Sequence, residues 1–171
     1  VGILGLVRIG QAISDKPPPW DASVVYHPRR KKEVPYRYFA NLTELARACD
    51  ALICITPGGP STHKIVNAEV LEALGPNGTL INVSRGSVVD EAALIAALTS
   101  GKLGWAGLDV FEAEPVVPQA LRDLPNTVLL PHVGSATVET RAAMGALTVD
   151  NLLQHLKDGT VMTPVPECAE L

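Results

Sequence analysis

The sequence predicts an α/β fold, a doubly wound parallel sheet with helices on both faces, and two observations predict it. Short runs rich in Val, Ile and Leu recur along the chain, and their near-continuous apolar character suits strands buried on both faces. Helical segments fit between most of those runs, so right-handed crossovers should join consecutive parallel strands.

In chain order, strands are expected over 1–5, 23–27, 51–56, 79–84, 105–110 and 127–131. A first helix starts at Arg8 and should stop near Asp15. The Lys16-Pro17-Pro18-Pro19-Trp20 stretch cannot continue it, because proline lacks the N–H and clashes with the preceding turn. Further helices are expected over 42–49, 67–74 and 90–100, the last with Asp90 as N-cap and Gly101 as its C-terminal signal. A final helix over 138–157 places apolar residues at 138, 142, 149, 152, 153 and 156. The sequence carries no internal repeat or low-complexity linker. It opens directly on a strand and ends in the turn-like Thr163-Pro164-Val165-Pro166, which gives the expectation of a domain belonging to something larger.

At 171 residues, 47% apolar and only 19% charged, the chain is globular and can bury one sizeable core. A formal net charge of -4 without a basic stripe argues against nucleic acid as a partner, and the Arg29-Arg30-Lys31-Lys32 run is too short to alter that. Apolar stretches fall short of transmembrane length and the N-terminus lacks the charged region of a signal peptide, so no membrane partner is expected. Three cysteines, Cys49, Cys54 and Cys168, lack CxxC spacing and suggest neither a disulfide framework nor a metal site. The expectation is a soluble, cytoplasmic domain.

Gly5-Leu6-Val7-Arg8-Ile9-Gly10 follows the first strand where a dinucleotide fingerprint belongs. That fingerprint uses one glycine for a tight turn, one for close approach to pyrophosphate and one for helix packing. Val7 stands in the middle position, where its methyls should crowd the phosphates or force a different loop path. The second strand runs into Tyr26-His27-Pro28-Arg29-Arg30. An NAD-specific site needs a carboxylate there for the ribose 2′-hydroxyl, roughly 20 residues past the fingerprint. Arginines occupy that place instead, and a planar guanidinium suits a 2′-phosphate. NADP(H) is therefore preferred, with NAD(H) still open, as is a plain solvated basic turn.

Three segments lie at or just past the carboxyl ends of strands, where open α/β sheets bind ligands: Ile81-Asn82-Val83-Ser84-Arg85-Gly86, Gly107-Leu108-Asp109-Val110-Phe111-Glu112-Ala113-Glu114, and Leu130-Pro131-His132-Val133-Gly134-Ser135. An Arg, a Glu and a His gathered there suit hydride chemistry on a 2-keto acid. Arg85 would hold the substrate carboxylate and polarise the carbonyl, and His132 would protonate the carbonyl oxygen. Glu114 would favour the imidazolium. Taken singly, each also reads as an ordinary surface ion pair, turn residue or solvated loop carboxylate.

Together the segments resemble the D-2-hydroxyacid dehydrogenase family over nearly the whole chain, from Val1 to about Pro166. The resemblance is most specific in Pro57-Gly58-Gly59-Pro60-Ser61-Thr62-His63, in Asn82-Val83-Ser84-Arg85-Gly86-Ser87-Val88-Val89-Asp90-Glu91 and in Pro131-His132-Val133-Gly134-Ser135-Ala136-Thr137. It implies a Rossmann NAD(P)-binding domain over 1–166 with a short remnant at 167–171, and a catalytic triad of Arg85, Glu114 and His132. It also implies that Asp109 lies near the nicotinamide, that the backbone of Thr56, Pro57, Val83 and Ser84 lines the cofactor groove, and that Arg8 and Ile9 face the pyrophosphate. Gly5, Gly10, His27, Arg29, Arg30, Gly134 and Ser135 complete the expected cofactor set. Val7 and the Pro17–Pro19 stretch depart from the family pattern and bear on the phosphate site, not on the triad.

Within the family, the Pro57-Gly58-Gly59-Pro60 loop and the Arg29-Arg30 pair point to the glyoxylate/hydroxypyruvate reductase branch. Related formate dehydrogenases carry Gln where Glu114 stands, and phosphoglycerate dehydrogenases favour an acidic residue after the second strand. The implied activity is NADP(H)-dependent reduction of a small 2-keto acid to the D-2-hydroxy acid. The family's separate substrate domain is absent from this sequence, so the isolated chain should turn over little. Its dimers form largely through this domain, so a homodimer is expected. Two other readings stay open: a dinucleotide-sensing regulator on the same fold, and a degenerate domain that no longer binds cofactor.

Overall fold

A computed structural model describes residues 1–16, 22–28 and 32–165. The chain forms two compact units, Val1–His132 and Val133–Leu171.

In the first unit the apolar runs form strands β1 (Gly2–Leu4), β2 (Val25–His27), β4 (Ala51–Cys54), β5 (Thr79–Asn82), β6 (Trp105–Leu108) and β7 (Thr127–Leu129). A further strand, β3 (Arg37–Tyr38), was not expected from the sequence. The sheet order is β3-β2-β1-β4-β5-β6-β7 and every pairing is parallel. Gly2 pairs with Val25 on one side and Leu52 on the other, so the order reverses around β1. The crevice between β1 and β4 is therefore the topological switch point, where such sheets bind ligands at their carboxyl ends.

The helices are α1 (Arg8–Ser14), α2 (Leu42–Arg47), α3 (Ala68–Leu74), α4 (Glu91–Thr99) and a short α5 (Gln119–Arg122) that the sequence did not announce. Three of them are started by side-chain caps, each of which satisfies a backbone donor that the first turn leaves unpaired. Asn41 accepts from the Glu44 N–H, Asn67 from Val70 and Asp90 from Ala93. Leu42, Leu45, Val70, Leu71, Leu94 and Leu98 join Leu4, Leu52, Leu80 and Leu108 in one core on one face of the sheet. Ile13 of α1 packs on Ile3, Leu6 and Tyr26 in a smaller cluster on the other. Helices thus lie on both faces, but unevenly. An open groove of about 430 Å³, lined by Ile81, Val83, Gly107, Asp109, Val128 and Leu130, runs along β5 to β7.

Each strand is shorter than its apolar run. Thr56, Ser84 and Val110, expected as strand, lie beyond the ladder yet remain buried, because the loops continue inward at the carboxyl edge. The Pro17–Pro19 stretch, Arg29 and Arg30 fall outside the described residues.

The second unit is built on α6 (Val138–Asp158), capped by Thr137 at its start and closed by Gly159, whose φ of 80° is the left-handed conformation glycine adopts without strain. Asn151 ties the following segment back to the helix through bonds to the Thr163 backbone N–H and hydroxyl. Among the described residues, no helix is long and apolar enough to cross a membrane, and no cluster of three side chains could hold a metal ion.

Candidate active site

Three loops, after β5, β6 and β7, build the site. In the first, Asn82 is buried and its amide oxygen accepts from both the backbone N–H and the hydroxyl of Ser84, at 3.1 and 2.8 Å. Its amide nitrogen donates to the Arg85 carbonyl at 3.0 Å. One side chain thus fixes the turn that presents Arg85, whose guanidinium also donates to the Ser84 carbonyl at 2.6 Å.

In the second loop Glu114 folds back so that its Oε1 accepts from the Phe111 N–H at 3.0 Å. In the third, Leu130 donates to the Leu108 carbonyl and keeps the chain beside β6 until Pro131 and His132. His132 adopts a left-handed φ of 55°, uncommon for a residue with a Cβ. Its Nδ1 lies 2.8 Å from Glu114 Oε2. The bond to His132 is the main reason the Glu114 carboxyl is held below its ordinary range. Partial burial opposes it, and the Phe111 N–H and the charges of His132 and Arg85 reinforce it. An ionised carboxylate can only accept, so Nδ1 carries the bonded proton and Nε2 is the ring atom left for another partner.

Arg85, Glu114 and His132 line one cleft of about 680 Å³, together with Gly58, Ser87 and Glu112. A second, apolar cavity of about 310 Å³ shares Phe111, Glu114 and His132 and adds Val117, Leu129 and Pro131. The cleft therefore offers a guanidinium for an anion, an imidazole held by a carboxylate, and an apolar space alongside.

On the cofactor side, Gly5 has a φ of 103°, and a Cβ there would come within 2.7 Å of the Thr56 backbone nitrogen. A Cβ at Gly10 would overlap the Gly5 carbonyl. These two glycines pack the ends of β1 and β4 against α1 at the switch point. Val7 differs from them: its φ of −109° and ψ of −156° suit any residue, its N–H donates to the Gly5 carbonyl at 2.9 Å, and α1 starts directly after it. Val7 therefore sits in this loop without backbone strain, and the residue, with its isopropyl group, is 53% exposed. Arg8 and Ile9 are exposed beside it. Thr56 and Ser84 are buried, Pro57 lines the 680 Å³ cleft, and Val83 and Asp109 line the groove over β5 to β7. His27 anchors its Nδ1 on the Phe39 carbonyl at 2.9 Å. Gly134 and Ser135 belong to the second unit. Glycine where the backbones touch, at the point where the strand order reverses, fits a dinucleotide.

Sequence reasoning missed Asn82 and Gly86. A polar residue closing the apolar run Thr-Leu-Ile-Asn was the available signal for the first. The second answers to a contact with Phe111 that lies 25 positions away.

Fold and cleft define a doubly wound domain of the dinucleotide-binding type. The chain belongs to the family of D-isomer specific 2-hydroxyacid dehydrogenase NAD binding domains, whose profile matches residues 1–134. It is 50% identical over 166 residues to a hydroxyphenylpyruvate reductase of Plectranthus scutellarioides, covering 96% of this chain and 53% of that protein. It is 49% identical, with the same coverage, to a glyoxylate/hydroxypyruvate reductase of Arabidopsis thaliana. Its fold superposes with a TM-score of 0.95 on the NADPH-dependent glyoxylate/hydroxypyruvate reductase of Sinorhizobium meliloti, crystallised with NADP and malonate, at 53% identity over 97% of this chain and 52% of that one. The chain spans about half the length of the relatives it matches.

Proposed function

We propose that this domain serves the NADP(H)-dependent reduction of small 2-keto acids, of the glyoxylate and hydroxypyruvate type, to D-2-hydroxy acids. The observation that carries the reading is the 2.8 Å Glu114–His132 pair opening into the same cleft as Arg85. In this mechanism Arg85 binds the substrate carboxylate and draws electron density from the keto group. Glu114, ionised, holds the His132 ring by Nδ1, so that Nε2 delivers a proton to the carbonyl oxygen. The hydride would come from a nicotinamide held in the cofactor groove. Gly5, Arg8, Ile9, Gly10, His27, Thr56, Pro57, Val83, Ser84 and Asp109 would hold the cofactor, with Arg29 and Arg30 at the 2′-phosphate.

One feature supports an incomplete surface. Parallel strands are normally covered on both faces, whereas β5 to β7 expose Trp105, Val128 and Leu130 on the groove side. A homodimer, together with the remainder of the protein, accounts for that face, and sedimentation of the whole protein tests it. The buried, unpaired Cys49 and Cys54 suit a reducing, cytoplasmic setting.

The functional test follows NADPH and NADH oxidation by the whole protein with glyoxylate and hydroxypyruvate, and then the chirality of the product. Faster turnover with NADPH and a D-configured product support the reading. Oxidation with neither keto acid sinks it.

A further inference from the structure

The cleft that holds Arg85 also holds a carboxylate with no part in the reduction. Glu112 lines it, and a negative charge there repels the anion that Arg85 is placed to attract. Lys64 lies against this carboxylate: its Nζ is 3.6 Å from Glu112 Oε1 and 3.7 Å from Asp90 Oδ1. Both distances exceed those of good hydrogen bonds, so the contacts act through charge more than through directed bonding. All three side chains are about one-third exposed, so the pairing is partly screened and modest in strength.

The surrounding backbone is arranged to keep Lys64 there. Its φ of 49° lies in the left-handed region, which an L-residue occupies only when its neighbours dictate it. Those neighbours are visible. The Lys64 N–H donates to the Ser87 carbonyl at 2.8 Å, Val66 donates to Val88 at 3.1 Å, and Asp90 donates to Val66 at 3.0 Å. The Glu112 N–H is fixed in turn by Glu91 Oε2 at 3.2 Å. Lys64 thereby links the loop after β4, where it sits, to Asp90 after β5 and to Glu112 after β6.

We propose that Lys64 is a positioning residue that holds the Glu112 charge off the anion and so sets the affinity of the Arg85 cleft for a carboxylate substrate. This rests on the 2-keto acid reading above. It is a specificity element that acts through Glu112 and does not touch the reacting atoms.

The test measures glyoxylate kinetics on the whole protein, with oxamate, an unreactive carboxylate analogue of a 2-keto acid, titrated in parallel to read anion binding without turnover. Lys64→Gln is expected to raise KM and the oxamate Kd roughly three- to fivefold, with kcat within about twofold. The difference should shrink at high salt, because exposed charges are screened. Lys64→Gly, unstrained at this φ, should show the same rise and so separate charge from backbone strain. Lys64→Arg should restore wild-type values. The deciding variant is Lys64→Gln with Glu112→Gln, in which removing the exposed carboxylate should return KM and Kd to wild type. An unchanged KM and Kd in Lys64→Gln, or a rise that persists in the double variant, overturns the proposal and leaves Lys64 as a brace between loops. A wild-type protein that reduces no glyoxylate yet follows the expected oxamate pattern overturns the reductase reading and keeps Lys64 in its role. Failure in both assays overturns both.

Discussion

Gly86 and Phe111 bring their backbones into direct contact: a Cβ at Gly86 would overlap the carbonyl of Phe111. That contact sets the Arg85 turn against the loop that carries Glu114. Gly86→Ala should therefore force the two loops apart, lowering stability by about 1–3 kcal/mol as overpacked sites do. Displacing Arg85 from the Glu114–His132 pair should cost about a hundredfold in kcat/KM. Thermal unfolding and steady-state kinetics on the whole protein check both. Wild-type activity in this variant would mean the loops need not touch.

The Glu114–His132 pair predicts a pH dependence. The folded-state pKa of Glu114 lies below its ordinary value of 4.5, so the ionised form is favoured by folding. Its stabilising contribution is complete above the unfolded-state pKa and fades as pH falls through the depressed folded value. Glu114→Gln should remove that part of the acid sensitivity, giving a flatter curve of Tm against pH below about pH 5. An acid limb identical to that of the wild type would contradict the pairing.

Val7 predicts a gain of function. Its backbone needs no glycine, so Val7→Gly should cost about 0.4–1 kcal/mol through added freedom of the unfolded chain. Removing the isopropyl group should tighten binding of NADPH and NADH alike, since pyrophosphate is common to both. Calorimetric titration reads this directly, and unchanged affinity would place Val7 away from the phosphates.

Cofactor choice is tested at the second strand. Arg29→Ala or Arg30→Ala should weaken NADPH binding by about 1.5–3 kcal/mol, the worth of a charge-assisted contact, and leave NADH nearly unchanged. Equal losses for both cofactors would remove these arginines from the 2′-phosphate.

The parts legible in the sequence were those whose signals are local. Buried parallel strands announce themselves as apolar runs, and the caps Asp90 and Gly101 mark helix ends by chemistry that needs no tertiary context. β3 was not legible, because Arg37 and Tyr38 form no apolar run and become a strand only by pairing with Val25 and Tyr26. α5 is a single short turn after Pro118 with no periodicity to read. Strand ends were overextended at Thr56, Ser84 and Val110, where burial continues past the ladder. Arg85, Glu114 and His132 were named as candidates from motif and strand position. Asn82, Gly86 and Lys64 owe their roles to loops that meet only in three dimensions.

The most direct test of the central claim, that His132 held by Glu114 protonates the keto oxygen, is a comparison of wild type and His132→Gln in NADPH-dependent reduction of glyoxylate by the whole protein. The predicted result is a fall in kcat of about 10²–10⁴, the worth of a positioned general acid, with NADPH affinity retained. A His132→Gln protein that reduces glyoxylate at the wild-type rate would contradict the account.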